Sequence, residues 1–395
     1  MPSVNRLPGT SDKNSSVLKH RRLVETSLYD LLYSNDYSMI DTPILEYTDI
    51  FLRKSGGELA SRLYAFADPA GKNVSLRPEF TASSIRYFIE NRESLSLPTR
   101  VQYAGPVFRY ISGAGYSESY QVGAELIGDE EPRADAEIIS IALSGLDKLG
   151  IEGLECRIGH IGVLLEILSV IGVSQRAQNF LVNNLHVLKN TENGSQTIIT
   201  QAEGIGLIRP SANSSTGLDI AVGNMDELQA AQLLSDLFRD SLTDPLGNRT
   251  AGDILGRFIS KYDKKDEFAK FEKAISLLKS IVSIQGNHMS VMTEMESLLS
   301  EYDIQQHVLS RFRVLIEIIM NKCPDANIIL DLSLVRGIAY YTGMVFEIIS
   351  TKDKNLQVLC GGGRYDGLVK ALGGPEEISA LGFAYTLENL FGDEF

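Results

Sequence analysis

The chain has 395 residues, 44% of them hydrophobic and 22% charged, enough for two or three domains with proper cores. Its net charge of -14 argues against a general nucleic-acid binder, because phosphate contacts supply most of that affinity, although a local basic patch can persist in an acidic protein. From Lys19 to Tyr37, Leu23, Leu28, Leu31 and Leu32 recur at helical spacing and predict an amphipathic helix. In "SMIDTPILEYTDIF" Pro43 divides a short strand from an extended segment. "LYAFAD" and "VSLRPEF" read as a hairpin about the turn "PAGKN", and Pro78 opens the helix "EFTASSIRYFIENR". "RVQYAGPVFRYI" and "SYQVGAELIG" are strands joined by a glycine-containing loop. A helix from Arg133 stops at glycine, and "LECRIGH" is a further strand.

After about residue 163 the pattern becomes mostly helical until about 325. The clearest segments are "MDELQAAQLLSDLFRD", "KKDEFAKFEKAISLLKSIVSI" and "IQQHVLSRFRVLIEIIMNKC". Strands return at "NIILDLSLV", "MVFEIIS" and "LQVLCGGG", and a last helix is expected at about 384–391. Hairpins flanked by helices predict an α+β fold with a largely antiparallel sheet, and no βαβ repeat supports a dinucleotide fold. The domain reading is a core formed by residues 1–165 and 326–395, interrupted by a mostly helical insertion over 166–325.

Cys156, Cys323 and Cys360 match no zinc or CxxC spacing and read as reduced thiols of a cytosolic protein. The five histidines form no HExxH, so no metal site is expected. The opening "MPSVNRLPGTSD" lacks the apolar core of a signal peptide, and no run of 18 apolar residues suggests a membrane span. No GxxxxGK[ST] phosphate loop occurs.

Four stretches carry the chemistry: "SLRPEFTAS" (75–83), "RVQYAGPVFRY" (100–110), "LVRGIAYYTGMVFEI" (334–348) and "LCGGGRYDGL" (359–368). In this order, followed by "LGFAYTLENL", they resemble the core of histidyl-tRNA synthetase, a class II aminoacyl-tRNA synthetase. "TPILE" resembles that class's first motif, "GPVFRY" its second and "LGFAYTLENL" its third, while "VRGIAYYTG" resembles the family's histidine-binding signature. The resemblance implies a class II synthetase-like antiparallel sheet flanked by helices, with a helical insertion. It covers about 1–165 and 326–395 and is weak between them.

The resemblance also implies a pocket for zwitterionic histidine, built from Glu79, Thr81, Arg109, Gln121, Glu125, Arg336, Tyr340 and Tyr341. Glu79 suits the ammonium, and equally the first turn of a helix, where the dipole favours a carboxylate. Arg336 suits the carboxylate in a bidentate contact, and equally an ordinary ion pair. Glu125 and Tyr340 would meet the imidazole, Tyr341 would wall the pocket, and Gln121 and Thr81 would complete its hydrogen bonds. The tyrosines would also serve as core residues with satisfied hydroxyls. Gly361, Gly362 and Gly363 allow close backbone approach or positive φ.

Other positions depart from the synthetase pattern. The stretch "YISGAGYSESY" after Arg109 has no lysine or arginine. Ser117 and Ser119 stand where basic and aromatic residues are expected, and Asn389 replaces the third-motif arginine. Charge-assisted phosphate contacts contribute roughly 1.5–3 kcal/mol each, so these losses argue against ATP chemistry. Phe80 adds bulk beside the ammonium site, and Ala339 removes a carboxylate from the signature. No anticodon-binding domain is expected after the third motif. The pattern is similar to the synthetase-like regulatory subunits of ATP phosphoribosyltransferase. That resemblance implies a cytoplasmic, non-catalytic chain with histidine as effector and no cofactor. Its partner would be the short-form catalytic subunit, in a hetero-oligomer built on homodimers, with no tRNA and no membrane. A scaffold that activates without sensing histidine, and a truncated histidine-adenylating enzyme, remain alternatives.

Overall fold

The computed structural model describes residues 4–53, 59–111, 115–208, 266–335, 340–352 and 357–391. The chain forms two compact units, one of residues 1–164 with 284–395, the other of residues 165–283. Arg336, Ala339 and the expected helix over 225–240 lie outside the described residues.

The first unit begins with α1 (Ser15–Tyr33), whose N-terminus is capped by Asn14 accepting from the N–H groups of Ser16 and Val17. Val24, Leu28 and Leu32, four residues apart, form its buried stripe. After β1 (Ser38–Met39) come β2 (Leu45–Tyr47), α2 (Thr48–Leu52), β3 (Ala65–Ala67) and β4 (Asn73–Leu76). The last three strands form a small sheet in the order β2-β4-β3. Next are α3 (Thr81–Glu90), the long antiparallel pair β5 (Thr99–Ile111) and β6 (Gly115–Ile127), α4 (Pro132–Lys148) and β7 (Leu154–His160).

The helix α5 (Ile161–Ile171) leads on to α6 (Gln175–Asn183), α7 (Leu185–Asn190), α8 (Gly194–Gly204) and α9 (Phe268–Ile281). In the second unit Leu181, Leu185, Ile198, Phe271, Ala274 and Leu278 are buried. Ser174 caps α6 by accepting from Ala177 N–H, and its own N–H and hydroxyl donate to Asp266 at 2.7 and 2.6 Å.

The chain returns through β8 (Gln285–Gly286), α10 (His288–Glu301), a 3-10 turn, α11 (Ser310–Lys322), β9 (Ile328–Asp331), β10 (Met344–Ser350), β11 (Val358–Arg364), α12 (Leu368–Ala371), β12 (Ala380–Thr386) and α13 (Leu387–Phe391). Residues 284–325, read from the sequence as part of the insertion, group instead with the large sheet. There β8 pairs with β9, and α11 packs on α4.

That sheet has nine strands in the order β1-β5-β6-β12-β11-β10-β7-β9-β8. The β1/β5 and β7/β9 pairs are parallel and the other neighbours antiparallel. This is the class II aminoacyl-tRNA synthetase-like fold. Among the described residues no helix is long and apolar enough to cross a membrane.

Two boundaries differ from the sequence reading in ways that shape the site. The helix expected from residue 384 starts only at Leu387, because "ALGFAYT" is the central strand β12 between β6 and β11. Its residues are apolar on both faces, as in a strand covered on both sides. The glycine triplet lies inside β11, in line with the strand reading of "LQVLCGGG", and none of its three members has positive φ. In place of a loop after Arg109, the β5–β6 ladder continues outward to the Ile111–Gly115 pair.

The carboxyl end of β11 is fixed by a buried ion pair. Arg364 donates through Nε and Nη2 to the two oxygens of Asp135 on α4, at 2.9 and 2.7 Å, and through Nη1 to the Asp129 carbonyl. The bidentate geometry and the extra carbonyl bond satisfy the guanidinium away from water. Replacing Asp135 with alanine would take away the bidentate partner of that buried cation and leave it, among the described residues, only the longer Asp366 contact at 3.3 Å as an ion pair. Asp135→Ala is expected to lower unfolding stability in a urea titration by about 3–5 kcal/mol, and a loss under about 1 kcal/mol would contradict this role.

Candidate ligand pocket on the open face of the sheet

The alternation of strand side chains decides which residues meet. On β6, Val122 and Ala124 lie on the face that carries α1 and α4, while Gln121, Gly123 and Glu125 lie on the other. On β5, Tyr103 and Arg109 share the Gln121 face; on β12, Gly382, Ala384 and Thr386 do. These residues line a cavity of about 610 Å³, open mouth included, with Glu79, Phe80 and Thr81 at the start of α3, Tyr340 and Tyr341, Cys360 and Gly361 of β11, and Tyr365.

Glu125 lies beneath the floor and is fully buried. It accepts from the Thr81 hydroxyl at 2.8 Å, the Tyr103 hydroxyl at 3.0 Å and the Tyr365 hydroxyl. Two glycines make this arrangement possible. A Cβ at Gly123 would stand 2.6 Å from the Tyr103 hydroxyl, and one at Gly382 would collide with the Glu125 carboxylate. Burial, and less strongly the neighbouring Glu79, push Glu125 up to about 8 against the pull of the three hydroxyls.

Glu79, 5% exposed, holds the pocket wall and accepts from the N–H of Ala82 at 3.1 and 3.3 Å. It therefore serves the helix terminus and faces the cavity at once. Burial raises its pKa, while the Ala82 N–H, Thr81 and Arg109 oppose the rise. Arg109 donates Nε to the Pro78 carbonyl at 2.8 Å, which places its guanidinium beside Glu79. Gln121 is 7% exposed and lines the cavity, and among the described residues its carboxamide has no hydrogen-bonding partner. Tyr340, Tyr341 and Tyr365 pack edge to face with centroids 5.0–6.5 Å apart, closing one side.

Of the eight residues singled out in the sequence, Glu79, Thr81, Arg109, Gln121, Tyr340 and Tyr341 line the cavity together. Glu125 does not reach it directly, because Thr81, Tyr103 and Tyr365 stand on its oxygens. Tyr103 and Tyr365 went unrecognised as site residues. Tyr103 was legible from strand period alone, six residues before Arg109 on the same face, and Tyr365 from the "RYD" that follows the glycines. Phe80 does not crowd the site at random: its ring stacks on Tyr103 at 4.3 Å and lies 3.9 Å under the Arg77 guanidinium. Arg77 is held in turn by the Pro106 and Thr42 carbonyls at 2.9 and 2.6 Å. Phe80 is therefore built into the wall.

The third-motif position is also occupied. Asn389 donates Nδ2 to the Val358 carbonyl at 2.7 Å, and Glu388 accepts the Tyr120 N–H at 2.9 and 3.1 Å. Among the described residues lining the cavity, Arg109 is the one cation. Acceptors and a single cation suit a small zwitterion with N–H donors better than a polyphosphate. No group of three metal-ligating side chains stands together among the described residues.

The model of the family described as histidyl-tRNA synthetase matches residues 9–201 and 253–390. The histidine–tRNA ligase of Methanococcus aeolicus is 26% identical over 388 residues, which is 98% of this chain and 75% of that protein. That of Methanocaldococcus jannaschii is 28% identical over 384 residues, covering 97% and 74%. Among solved structures, one named as an ATP phosphoribosyltransferase regulatory subunit/histidyl-tRNA synthetase, from Bacillus halodurans, superposes with a TM-score of 0.68 at 21% identity, covering 99% of this chain and 83% of that one. A histidine–tRNA ligase subunit from Alicyclobacillus acidocaldarius gives 0.58 at 22%, covering 99% and 97%. At these identities the structures speak for the fold.

The raised pKa of Glu125 has a sign that can be measured. A carboxyl that holds its proton to about 8 when folded, but only to about 4.3 when unfolded, contributes stability that falls as pH rises between those values. Glu125→Gln removes the titration and retains the shape. The melting temperature of the variant relative to wild type is expected to climb between pH 5 and 8 and level off above. A difference flat across that range would contradict the assignment.

Proposed function

The chain belongs to the histidyl-tRNA synthetase family, and from that premise we propose that it is a regulatory subunit rather than a charging enzyme. In this reading it binds histidine and supports and restrains the short-form catalytic subunit of ATP phosphoribosyltransferase, in a mixed oligomer built on dimers. The observation that carries the reading is the contrast between two neighbouring regions. The amino-acid pocket retains Glu79, Arg109, Thr81, Gln121 and the tyrosines around one cavity. Where the family's third motif has an arginine, Asn389 is tied to the Val358 carbonyl instead. The name of the Bacillus halodurans structure, which joins regulatory subunit and synthetase, supports the same direction.

The Glu79 carboxylate would take the ligand ammonium and Arg109 its carboxylate, with Arg336 as a second cation. The imidazole would lie toward Tyr340, Tyr365 and the hydroxyls that cover Glu125. Histidine would then favour one arrangement of the complex by a coupling of about 1–3 kcal/mol, the scale typical of linked sites. The chain would supply no group to the partner's chemistry.

A second reading, a histidine-adenylating enzyme, is favoured by the names of the sequence relatives, which are histidine–tRNA ligases at 26–28% identity over almost the whole chain. Histidine-dependent exchange of pyrophosphate into ATP by the isolated chain would decide for it. A third, activation without histidine sensing, draws on the ring of Phe80 in the pocket wall.

Reconstitution with a short-form catalytic subunit is expected to raise ATP phosphoribosyltransferase activity, and histidine to lower it again. Loss of one charge-assisted contact is worth about 1.5–3 kcal/mol, or roughly 10- to 150-fold in affinity. Glu79→Gln is expected to raise the half-inhibiting histidine concentration by at least tenfold. Activity indifferent to saturating histidine would remove the regulatory reading.

A further inference from the structure

The placement of Gln121 in the pocket depends on contacts that lie outside it. It forms the last β6–β12 pair, opposite Thr386. Beyond it β12 turns into α13, and the next N–H of β6, that of Tyr120, would lose its ladder partner. Glu388 on α13 replaces that partner, accepting the Tyr120 N–H with both carboxylate oxygens at 2.9 and 3.1 Å. Strand alternation sends the side chain of Tyr120 away from the cavity that Gln121 faces. Its hydroxyl donates to Glu25 of α1 at 3.2 Å, and its ring lies 4.5 Å from the Arg21 guanidinium. Immediately before Arg21 on α1, His20 meets Phe391 of α13 with ring centroids 4.7 Å apart. Burial, then Glu25, push the Tyr120 phenol up to about 12, so it remains a hydrogen-bond donor at physiological pH.

We infer that Tyr120 is a positioning residue that ties the place of Gln121 in the pocket to helix α1, so that a ligand held by Gln121 and a displacement of α1 act on each other. The inference deepens the reading of the cavity as a histidine site and rests on it for the ligand. The coupling itself is a property of the empty protein. Its path is short and each link is a named contact: ligand to the Gln121 carboxamide, one peptide to Tyr120, and the hydroxyl and ring of Tyr120 to Glu25 and Arg21. The Glu388 carboxylate holds the preceding peptide through the Tyr120 N–H, so a shift of the strand there is resisted by α13 and transmitted to α1. Leu23 and Tyr33 of α1 are exposed. A change in the setting of α1 would therefore reach the surface.

The test uses the full chain as wild type, Tyr120→Phe, Glu25→Ala, Glu25→Gln and the Tyr120→Phe/Glu25→Ala double variant. Hydrogen exchange read by mass spectrometry is measured without ligand and with histidine. Without ligand, Tyr120→Phe is expected to speed exchange over residues 118–124 at least fivefold while leaving β7 and β10 of the same sheet unchanged. Acceleration spread over the whole sheet, with a lowered melting temperature, would overturn the inference, as would no change over 118–124. With histidine, the wild type is expected to slow exchange both there and over residues 19–28 of α1, and Tyr120→Phe to lose the slowing in α1. By calorimetry, Tyr120→Phe and Glu25→Ala should each weaken histidine about three- to tenfold. The double variant should be no weaker than the worse single one, as expected for one shared interaction. Glu25→Gln, whose amide oxygen still accepts, should restore most of the affinity. Additive losses would overturn the inference. If wild type does not bind histidine, the regulatory reading loses its ligand, and the ligand-free exchange arm still decides the coupling.

Discussion

Everything in the pocket is arranged around a carboxylate that never sees solvent. Glu125 sits under the sheet face with both oxygens covered by the hydroxyls of Thr81, Tyr103 and Tyr365. A buried carboxyl is tolerated when donors converge on it, and here three elements and a loop must come to one point to supply them. That requirement fixes the entry angle of α3, the register of β5 against β6 and the return of the chain after β11. It also explains the absence of side chains at Gly123 and Gly382, since a Cβ at either position would displace the Tyr103 hydroxyl or the carboxylate itself. The ligand-facing surface is then made of oxygens whose protons point inward.

A second constraint separates this site from its neighbour. The strand β12 and the helix α13 carry the third-motif sequence, and their polar side chains are turned to structural tasks. Asn389 closes on the Val358 carbonyl, and Glu388 extends the β6 ladder by one bond. The region that a nucleotide would need is thus held together by hydrogen bonds within the chain. The buried Arg364–Asp135 pair anchors the far end of β11 in the same way, leaving Tyr365 free to face Glu125.

Much of this was legible before the structure. The motif order gave the class of fold, and six of the eight named residues line one cavity. What periodicity could not give is where chain segments converge. The role of Glu125 as a covered acceptor depends on hydroxyls contributed 44 residues before it and 240 after it. The strand character of "ALGFAYT" was hidden because apolar residues on both faces of a central strand read like a buried helix. Helical pattern alone does not divide the two units, since α10 and α11 have helical patterns while packing with the sheet.

The proposed regulatory role requires a pocket that accepts an amino acid beside a region that accepts no nucleotide. Calorimetric titration of the isolated chain with histidine and, separately, with magnesium-ATP tests this most directly. Saturable binding of histidine at a single site, with no binding heat from magnesium-ATP, is the predicted result. Saturable magnesium-ATP binding, strengthened by histidine, would contradict it.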